Sequence, residues 1–198
     1  MKLIRESLYP LFEIGEGIKP YNLKYLGNLK TFRGMKVEEY APMIGYEFIT
    51  EDNDKYIITF LAYGGSEIIN GKVFNTRVDF EVIGKEPNVI VNKGHIFRVL
   101  STVVEAIKNY LIKNPQTFSF IIFASKNKNN KDSRLNLYSK YIEKQIPSGW
   151  KANYLTIEDE DLGEGLSHNV IQLVNLEKYE EYKKIKDKSI HYWNDDIK

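Results

Sequence analysis

The spacing of apolar residues changes along the chain, and this change limits the folds open to it. Residues 44–50, 55–63 and 73–83 are rich in β-branched and aromatic side chains, and in the first and last of these runs apolar residues fall mostly on alternate positions. Short turns rich in Asp, Asn and Gly separate the three runs. The pattern therefore predicts an antiparallel meander of strands.

After the meander, the spacing of apolar residues becomes that of a helix. In residues 94–113 apolar side chains recur every three or four positions, and Asn114-Pro115 ends this helix. Residues 117–124 are short, dense and apolar, which is typical of a strand buried on both faces. A second amphipathic helix follows, capped by Asp132 or Ser133, and ends before Pro147.

The last part of the domain returns to strands. Residues 150–157 and 169–176 are predicted to form two closing strands around an acidic loop, and residues 88–91 a further short strand. The predicted fold class is α/β (α+β), with a mixed, mostly antiparallel sheet and two main helices in the order β-β-β-α-β-α-β-β.

Two flanking segments differ in character from this domain, which spans residues 37–176. Residues 1–36 form a basic N-terminal arm, with seven Lys and Arg against three Glu and many Gly and Pro. Residues 177–198 are charged and carry a stripe of aromatic residues, which predicts a C-terminal helix. Because aromatic side chains anchor interfaces, the tail is a candidate contact for a protein partner, with packing on its own domain as the alternative. The N-terminal arm is the other candidate contact.

Composition excludes several classes of function. The 198 residues include no Cys, which excludes a disulfide scaffold, a thiolate metal site and a cysteine nucleophile. The three His lie far apart, so no metal site is predicted. Lys and Arg number 28 against 27 Asp and Glu, so bulk charge gives no attraction to nucleic acid or to a membrane. The remaining expectation is a soluble cytoplasmic domain.

Three features of the middle region resemble the GNAT superfamily of acetyltransferases. The first is the Gly-bearing loop and helix start at residues 91–98, and the second is the buried strand at 118–124. The third is Leu137-Tyr138 followed by Gly149-Trp150, which is similar to a leucine–tyrosine and glycine–aromatic signature of that superfamily. The resemblance covers about residues 44–176 and implies an N-acetyltransferase that uses acetyl-CoA.

The resemblance also implies a set of site residues. In the superfamily, backbone N–H groups at a helix N-terminus hold the pyrophosphate of coenzyme A, and a tyrosine corresponding to Tyr138 protonates the departing thiolate. A backbone N–H near residues 90–92 would hold the developing oxyanion. The residues expected to bind the cofactor are Val91, Asn92, Lys93, Gly94, His95 and Ile96.

Asp79 and Glu81 are the candidates for the general base. They lie two positions apart on a predicted strand, so both side chains point to one face of the sheet. Alternating acidic residues also occur on the solvated face of ordinary sheets. Ordinary core packing is likewise an alternative for Tyr138, which lies within an apolar helical stripe.

A second function class remains open because the cofactor loop departs from the superfamily pattern. Ile96 stands where the superfamily usually has a second small residue that allows phosphate to approach closely. The alternative is a non-enzymatic, virion-associated or host-directed binding protein that keeps the scaffold with a degenerate cofactor loop.

The chain also resembles small uncharacterised proteins of phages and mobile elements. The block Ser133-Arg134-Leu135-Asn136-Leu137-Tyr138 is similar to one that those proteins share. The first eight residues resemble leaders of proteins packed in phage heads, and Ile4-Arg5-Glu6 fits the site cut by some phage proteases. This resemblance implies a protein in the cytoplasm of a host cell, or one packaged in a virion.

Overall fold

The protein is an α+β fold built on a large, mostly antiparallel sheet. The structure is a computed structural model, and it describes residues 18–37, 42–62, 68–69, 72–73, 76–85, 95–124, 138, 141–142, 144–158 and 167–177. The strands and the helix that have assigned bounds in these ranges are β1 Lys24–Asn28, β2 Thr31–Phe32, β3 Met35–Lys36, β4 Met43–Ile49, β5 Lys55–Ala62, β6 Ile68–Ile69, β7 Lys72–Val73, β8 Thr76–Val82, α1 Ile96–Lys113, β9 Ser119–Ala124, β10 Trp150–Glu158 and β11 Ser167–Asn175.

Seven of the strands form one sheet in the order β1-β4-β5-β8-β9-β11-β10. Neighbouring strands pair antiparallel except for β8 and β9, which run parallel. Parallel neighbours need a crossover connection, and α1 lies in the connection between β8 and β9. The sheet therefore consists of an antiparallel group of four strands and an antiparallel group of three, joined at β8 and β9.

Three aromatic rings, Phe60, Tyr110 and Phe120, join α1 to both strand groups; we call them the aromatic triad. The Tyr110 ring of α1 stacks on the Phe60 ring of β5 at a centroid distance of 4.3 Å. It also meets the Phe120 ring of β9 edge-on at 5.8 Å. Phe60 and Phe120 are fully buried. Such aromatic pairs are worth about 0.5–1.5 kcal/mol each beyond the area they bury.

Helix α1 forms because its apolar residues share one face that packs on the sheet. The buried positions are Val99, Leu100, Thr102, Val103, Val104, Ala106, Ile107 and Tyr110. The helix ends where the Asn114 N–H donates to the Tyr110 carbonyl, one residue before Pro115. Among the described residues, no helix is long and apolar enough to cross a membrane.

The centre of the sheet is buried on both faces. On the face that carries α1, Phe60, Ile122 and Ile171 belong to the core. On the opposite face, Ile121 and Val170 are equally inaccessible to solvent. The prediction that residues 117–124 form a strand buried on both faces is therefore confirmed for the side chains described on β9.

Most of the predicted elements are confirmed with small changes in their bounds. The strands predicted at 44–50 and 55–63 correspond to β4 and β5, and the two closing strands correspond to β10 and β11. The run at 73–83 is divided, because β7 pairs with β6 in a separate two-stranded sheet and only β8 joins the main one. The predicted short strand at 88–91 lies outside the described residues.

The second predicted helix and the tail are largely outside the described residues. Within 132–146, the described positions 138, 141–142 and 144–145 have helical backbone. Ile142 belongs to the core on the face that carries α1, and Tyr138 and Ile146 pack against it. The tail is described only as far as residue 177.

The predicted arm at 1–36 contributes directly to the sheet in its described part. Strand β1 pairs with β4 along the edge, with an irregular register between Tyr25 and Gly27. Strands β2 and β3 form a small hairpin whose two turn residues, Arg33 and Gly34, both have positive φ. Two-residue hairpin turns of type I′ require this backbone conformation.

Leu29 fixes the connection after β1 by packing over a glycine of β4. Its N–H donates to the Met43 carbonyl at 2.8 Å. A Cβ atom at residue 45 would lie only 2.9 Å from the Leu29 Cδ2 atom. Gly45 therefore allows this close contact.

We expect the substitution Gly45→Ala to lower the free energy of unfolding by about 1 kcal/mol, because the new methyl group overpacks against Leu29. Urea denaturation measures the change. In a Leu29→Ala background the same substitution should cost almost nothing. An equal cost in both backgrounds would mean that the contact with Leu29 is not the cause.

Candidate functional site

The parallel strands β8 and β9 pair over only part of their length. Their register consists of three residue pairs, Thr76 with Phe120, Arg77 with Ile121 and Val78 with Ile122. Strand β8 continues to Val82 and stays paired with β5 on its other side. Strand β9 likewise continues to Ala124 and stays paired with β11. We call the unpaired stretch beyond Val78 and Ile122 the β8–β9 fork.

The edge of β8 that faces the fork carries backbone hydrogen-bonding groups. The Ile83 N–H donates to the Lys55 carbonyl at 2.8 Å, so odd-numbered residues of β8 face β5. By alternation, the backbone N–H and C=O groups of Phe80 and Val82 face the fork. The Val82 carbonyl accepts a hydrogen bond from the Lys85 N–H at 3.4 Å. Two donors and one acceptor therefore line this edge without a ladder partner in the described strands.

Helix α1 begins at the end of the sheet where the fork lies. Arg98 in its first turn donates to the carboxylate of Glu51, which stands in the turn between β4 and β5. Lys55 begins β5 beside the end of β8, because its carbonyl accepts from Ile83. Tyr110, near the other end of α1, lies by the Thr76 hydroxyl at the start of β8. The N–H groups of the first helical turn, which have no partner within the helix itself, therefore lie on the fork side of the sheet.

A charged cluster of Tyr21, Glu51, His95 and Arg98 surrounds the start of α1. The Glu51 carboxylate accepts hydrogen bonds from the Tyr21 hydroxyl and from the Arg98 guanidinium. The His95 Nδ1 atom lies 3.7 Å from Glu51 Oε2. The Arg98 guanidinium also lies 4.1 Å from the centroid of the Tyr21 ring. An arginine, a histidine and a carboxylate thus meet at this helix end.

These contacts shift the pKa values of two members of the cluster. The hydrogen bond from Tyr21 is the largest cause that lowers the pKa of the Glu51 carboxyl, and a backbone hydrogen bond, Arg98 and His95 lower it further. Burial raises the pKa of the Tyr21 hydroxyl, and the adjacent Glu51 carboxylate raises it further. Tyr21 therefore stays a neutral donor, and Glu51 stays an anion near neutral pH.

The chain before β1 holds this cluster against α1. The Tyr21 N–H donates to Thr102 Oγ1 at 2.9 Å, and Ser101 Oγ donates to the Ile18 carbonyl at 3.0 Å. Arg98 Nε donates to the Lys19 carbonyl, also at 3.0 Å. Residues 18–21 are therefore fixed along the first half of the helix.

Asp79 and Glu81, the predicted general bases, are both engaged by arginine. Arg33 at the tip of the β2–β3 hairpin binds Glu81 through two nitrogens, with a distance of 3.0 Å from Nε to Oε1. The Arg77 Nε atom lies 2.6 Å from Asp79 Oδ2. The two carboxylates share the sheet face opposite Phe80, because strand side chains alternate.

Tyr138 lies on the other face of β8. Its ring is 5.8 Å from the ring of Phe80, and it packs against the core. The three predicted catalytic side chains are therefore not brought into one cluster, and β8 stands between the tyrosine and the two carboxylates. Three residues later, Tyr141 is buried beside Phe97 of α1, and its hydroxyl has no hydrogen-bond partner among the described residues.

The structure describes two of the six residues predicted to bind the cofactor. His95 is the residue that precedes α1, and its side chain makes no capping hydrogen bond. Ile96 is the first helical residue and is half-buried. The other four, Val91, Asn92, Lys93 and Gly94, lie outside the described residues.

Sequence reasoning missed the contribution of Tyr21, Glu51 and Arg98. Tyr21 and Glu51 are separated by 30 positions, and Glu51 and Arg98 by 47. No local spacing could connect them. The one available signal was an arginine in the first turn of a helix, a position usually filled by acidic residues because of the helix dipole.

The described residues contain no group of His, Asp and Glu that could hold a metal ion. Comparison with protein-family models, curated proteins and solved structures finds no match for this chain.

We expect the pH dependence of stability to include a contribution from Glu51. Because its pKa is lower in the folded than in the unfolded chain, Glu51 stabilises the fold above its ordinary pKa of about 4.3 and loses this effect as the pH falls. The difference in free energy of unfolding between the native protein and Glu51→Gln should therefore shrink as the pH falls from about 5 to 3.

The Tyr21→Phe variant provides the matched control, since it removes only the hydroxyl. The pKa of the Glu51 carboxyl, measured by NMR titration, should rise toward its ordinary value in this variant. An unchanged pKa would mean that the Tyr21 hydrogen bond is not its main determinant.

Proposed function

We propose that the chain is an N-acyltransferase that uses acyl-CoA and has a GNAT-like domain of order β-β-β-α-β-α-β-β. The observation that carries this proposal is the β8–β9 fork, with α1 beginning at its open end. In the GNAT superfamily, two parallel strands part in this way and leave a slot for the pantetheine arm of coenzyme A. The predicted helix at 132–146 would complete the order of elements.

The backbone groups at the fork suit a pantetheine arm. The Phe80 N–H and C=O and the Val82 N–H form the edge of a strand, and an extended chain with amide groups can pair with such an edge. Bound acetyl-CoA would supply the activated acyl group. The N–H groups of Phe80 and Val82 are further candidates, beside those near residues 90–92, to hold a developing oxyanion.

The start of α1 suits the diphosphate of the same cofactor. Its free N–H groups and partial positive charge attract anions, and the residues proposed to contact the diphosphate are 91–96, with Lys93 adding a charge. The Tyr141 hydroxyl is buried beside Phe97 and has no hydrogen-bond partner within the part of the chain that the structure describes, which also favours a polar ligand near this end of the helix.

The groups proposed for the two proton transfers of the reaction lie on opposite faces of β8. An amine acceptor would attack the thioester carbonyl, forming the C–N bond as the C–S bond breaks. Tyr138 would give its proton to the departing sulfur from the core face. Asp79, which is paired with Arg77, or Glu81, which is paired with Arg33, would take the proton of the amine from the other face.

A second candidate function is a non-enzymatic binding protein, virion-associated or host-directed, on the same scaffold. The observation that favours it is the ion pair between Glu51 and Arg98, because this carboxylate offsets positive charge at the start of α1. The Ile96 side chain at the first helical position favours it as well. In this alternative, the N-terminal arm or the C-terminal helix would contact the protein partner.

Binding of acetyl-CoA distinguishes the two candidates. A ligand present at 100 times its dissociation constant stabilises a protein by about 2.7 kcal/mol, which corresponds to a rise in Tm of roughly 5–10 °C for a chain of this size. We expect such a rise in a thermal shift assay, with adenosine as the control ligand. No rise at millimolar acetyl-CoA would favour the binding protein.

The Tyr138→Phe variant tests the proposed proton donor. We expect kcat to fall about a hundredfold with little change in acetyl-CoA affinity, because the hydroxyl acts on the departing thiolate rather than in binding. Tyr154→Phe, at an exposed tyrosine of β10, is the matched control and should keep full activity. Equal kcat values for the two variants would contradict the assignment of Tyr138.

A further inference from the structure

The hydroxyl group of Tyr46 is a buried polar group outside the candidate functional site. Tyr46 lies on β4, is 2% exposed, and belongs to the core on the face of the sheet that carries α1. Its hydroxyl oxygen is inaccessible to solvent and has no hydrogen-bond partner within the described ranges. Buried hydroxyl groups are nearly always hydrogen-bonded, because folding removes the water that binds them in the unfolded chain. This hydroxyl therefore requires a partner that the described residues do not supply directly.

The side chain of Tyr46 leans toward the end of the sheet where β8 begins. Tyr46 lies opposite Ile58 of β5, and Phe60 is two positions further along that strand. The Tyr46 ring meets the Phe60 ring edge-on at a centroid distance of 5.6 Å, so it leans in the direction in which β5 runs. Strand β5 ends at Ala62, which pairs with Thr76, the first residue of β8. The Tyr46 hydroxyl, at the tip of the side chain, therefore extends toward the start of β8.

Three further buried hydroxyl groups meet at this end of the sheet. Tyr110 of α1 stacks on the Phe60 ring at 4.3 Å, and the hydroxyls of Thr76 and Thr117 lie beside its own hydroxyl. Burial raises the pKa of the Tyr110 hydroxyl, and these two threonine hydroxyls oppose the increase. Thr76 and Thr117 are fully buried, and Tyr110 is 6% exposed. The end of the sheet opposite the fork therefore carries a group of hydroxyls inside the core.

Tyr46 and Tyr110 approach each other without a direct hydrogen bond. The two rings contact the same ring, that of Phe60. Burial is the largest cause that raises the pKa of the Tyr46 hydroxyl, and Tyr25 and then Tyr110 raise it further. Tyr110 thus acts on the Tyr46 hydroxyl through space, although the two are not hydrogen-bonded. Polar groups that are close but not in direct contact are commonly bridged by water.

We infer that this end of the core binds one water molecule, held by the hydroxyls of Tyr46, Tyr110 and Thr76. A hydroxyl donates one hydrogen bond and accepts two, so the contact between Tyr110 and Thr76 leaves each of them capacity for another. Buried waters typically make about three hydrogen bonds to polar groups that lack other partners. All three residues are buried and uncharged, which suits a small neutral ligand enclosed by the core.

Magnetic relaxation dispersion of 17O in water tests the inference, because it counts long-lived bound waters and does not respond to exchange of hydroxyl hydrogens. We expect Tyr46→Phe to lower the dispersion amplitude by the equivalent of about one water molecule. Tyr21→Phe is the matched control, since it removes a buried hydroxyl that already has a protein partner, Glu51, and it should leave the amplitude unchanged. An unchanged amplitude in Tyr46→Phe would mean that the chain itself satisfies this hydroxyl, and it would overturn the inference.

Thermal unfolding of a double variant provides an independent test through Thr76→Val, which removes a second proposed ligand and keeps the shape of the side chain. Loss of either hydroxyl should release the same water, so the effects of the two substitutions should not add. We expect the drop in Tm of Tyr46→Phe with Thr76→Val to be close to the larger of the two single drops. The drops for Tyr46→Phe with Tyr21→Phe should add. Additive drops in both pairs would contradict a water shared by Tyr46 and Thr76.

Discussion

The aromatic triad of Phe60, Tyr110 and Phe120 is the contact on which the arrangement of the sheet depends. A parallel pair of strands cannot be joined by a tight turn, so the chain must cross over between β8 and β9. The triad fixes the end of that crossover, because one ring of α1 contacts a ring from each strand group. The start of α1 is fixed separately, by Arg98 against Glu51 and by Tyr21 against Thr102.

Much of the fold could be predicted from the sequence because burial imposes a period on it. The change from alternate to helical spacing located α1 to within two residues at its start, and the apolar run at 117–124 located β9. Strand β1 was missed because a bulge and Gly27 interrupt its alternation. The division between β7 and β8 was also missed, since the apolar pattern continues across residues 74 and 75.

The candidate site was less predictable, because it depends on contacts between distant segments. Strand periodicity correctly put Asp79 and Glu81 on one face, but it could not show that Arg33, 48 positions away, binds Glu81. The helical stripe likewise placed Tyr138 against the core, and only the structure shows its contact with Phe80. Whether Tyr138 acts in proton transfer stays a prediction.

The connection between β8 and β9 is the shortest hydrogen-bonded ladder in the main sheet. Within each strand group, neighbouring strands share four to nine paired residues, whereas three pairs connect one group to the other. Because so few pairs connect the two groups, we expect the main sheet to bend more easily at Thr76–Val78 than within either group. Helix α1 contacts both groups through the aromatic triad, so its packing would oppose such bending.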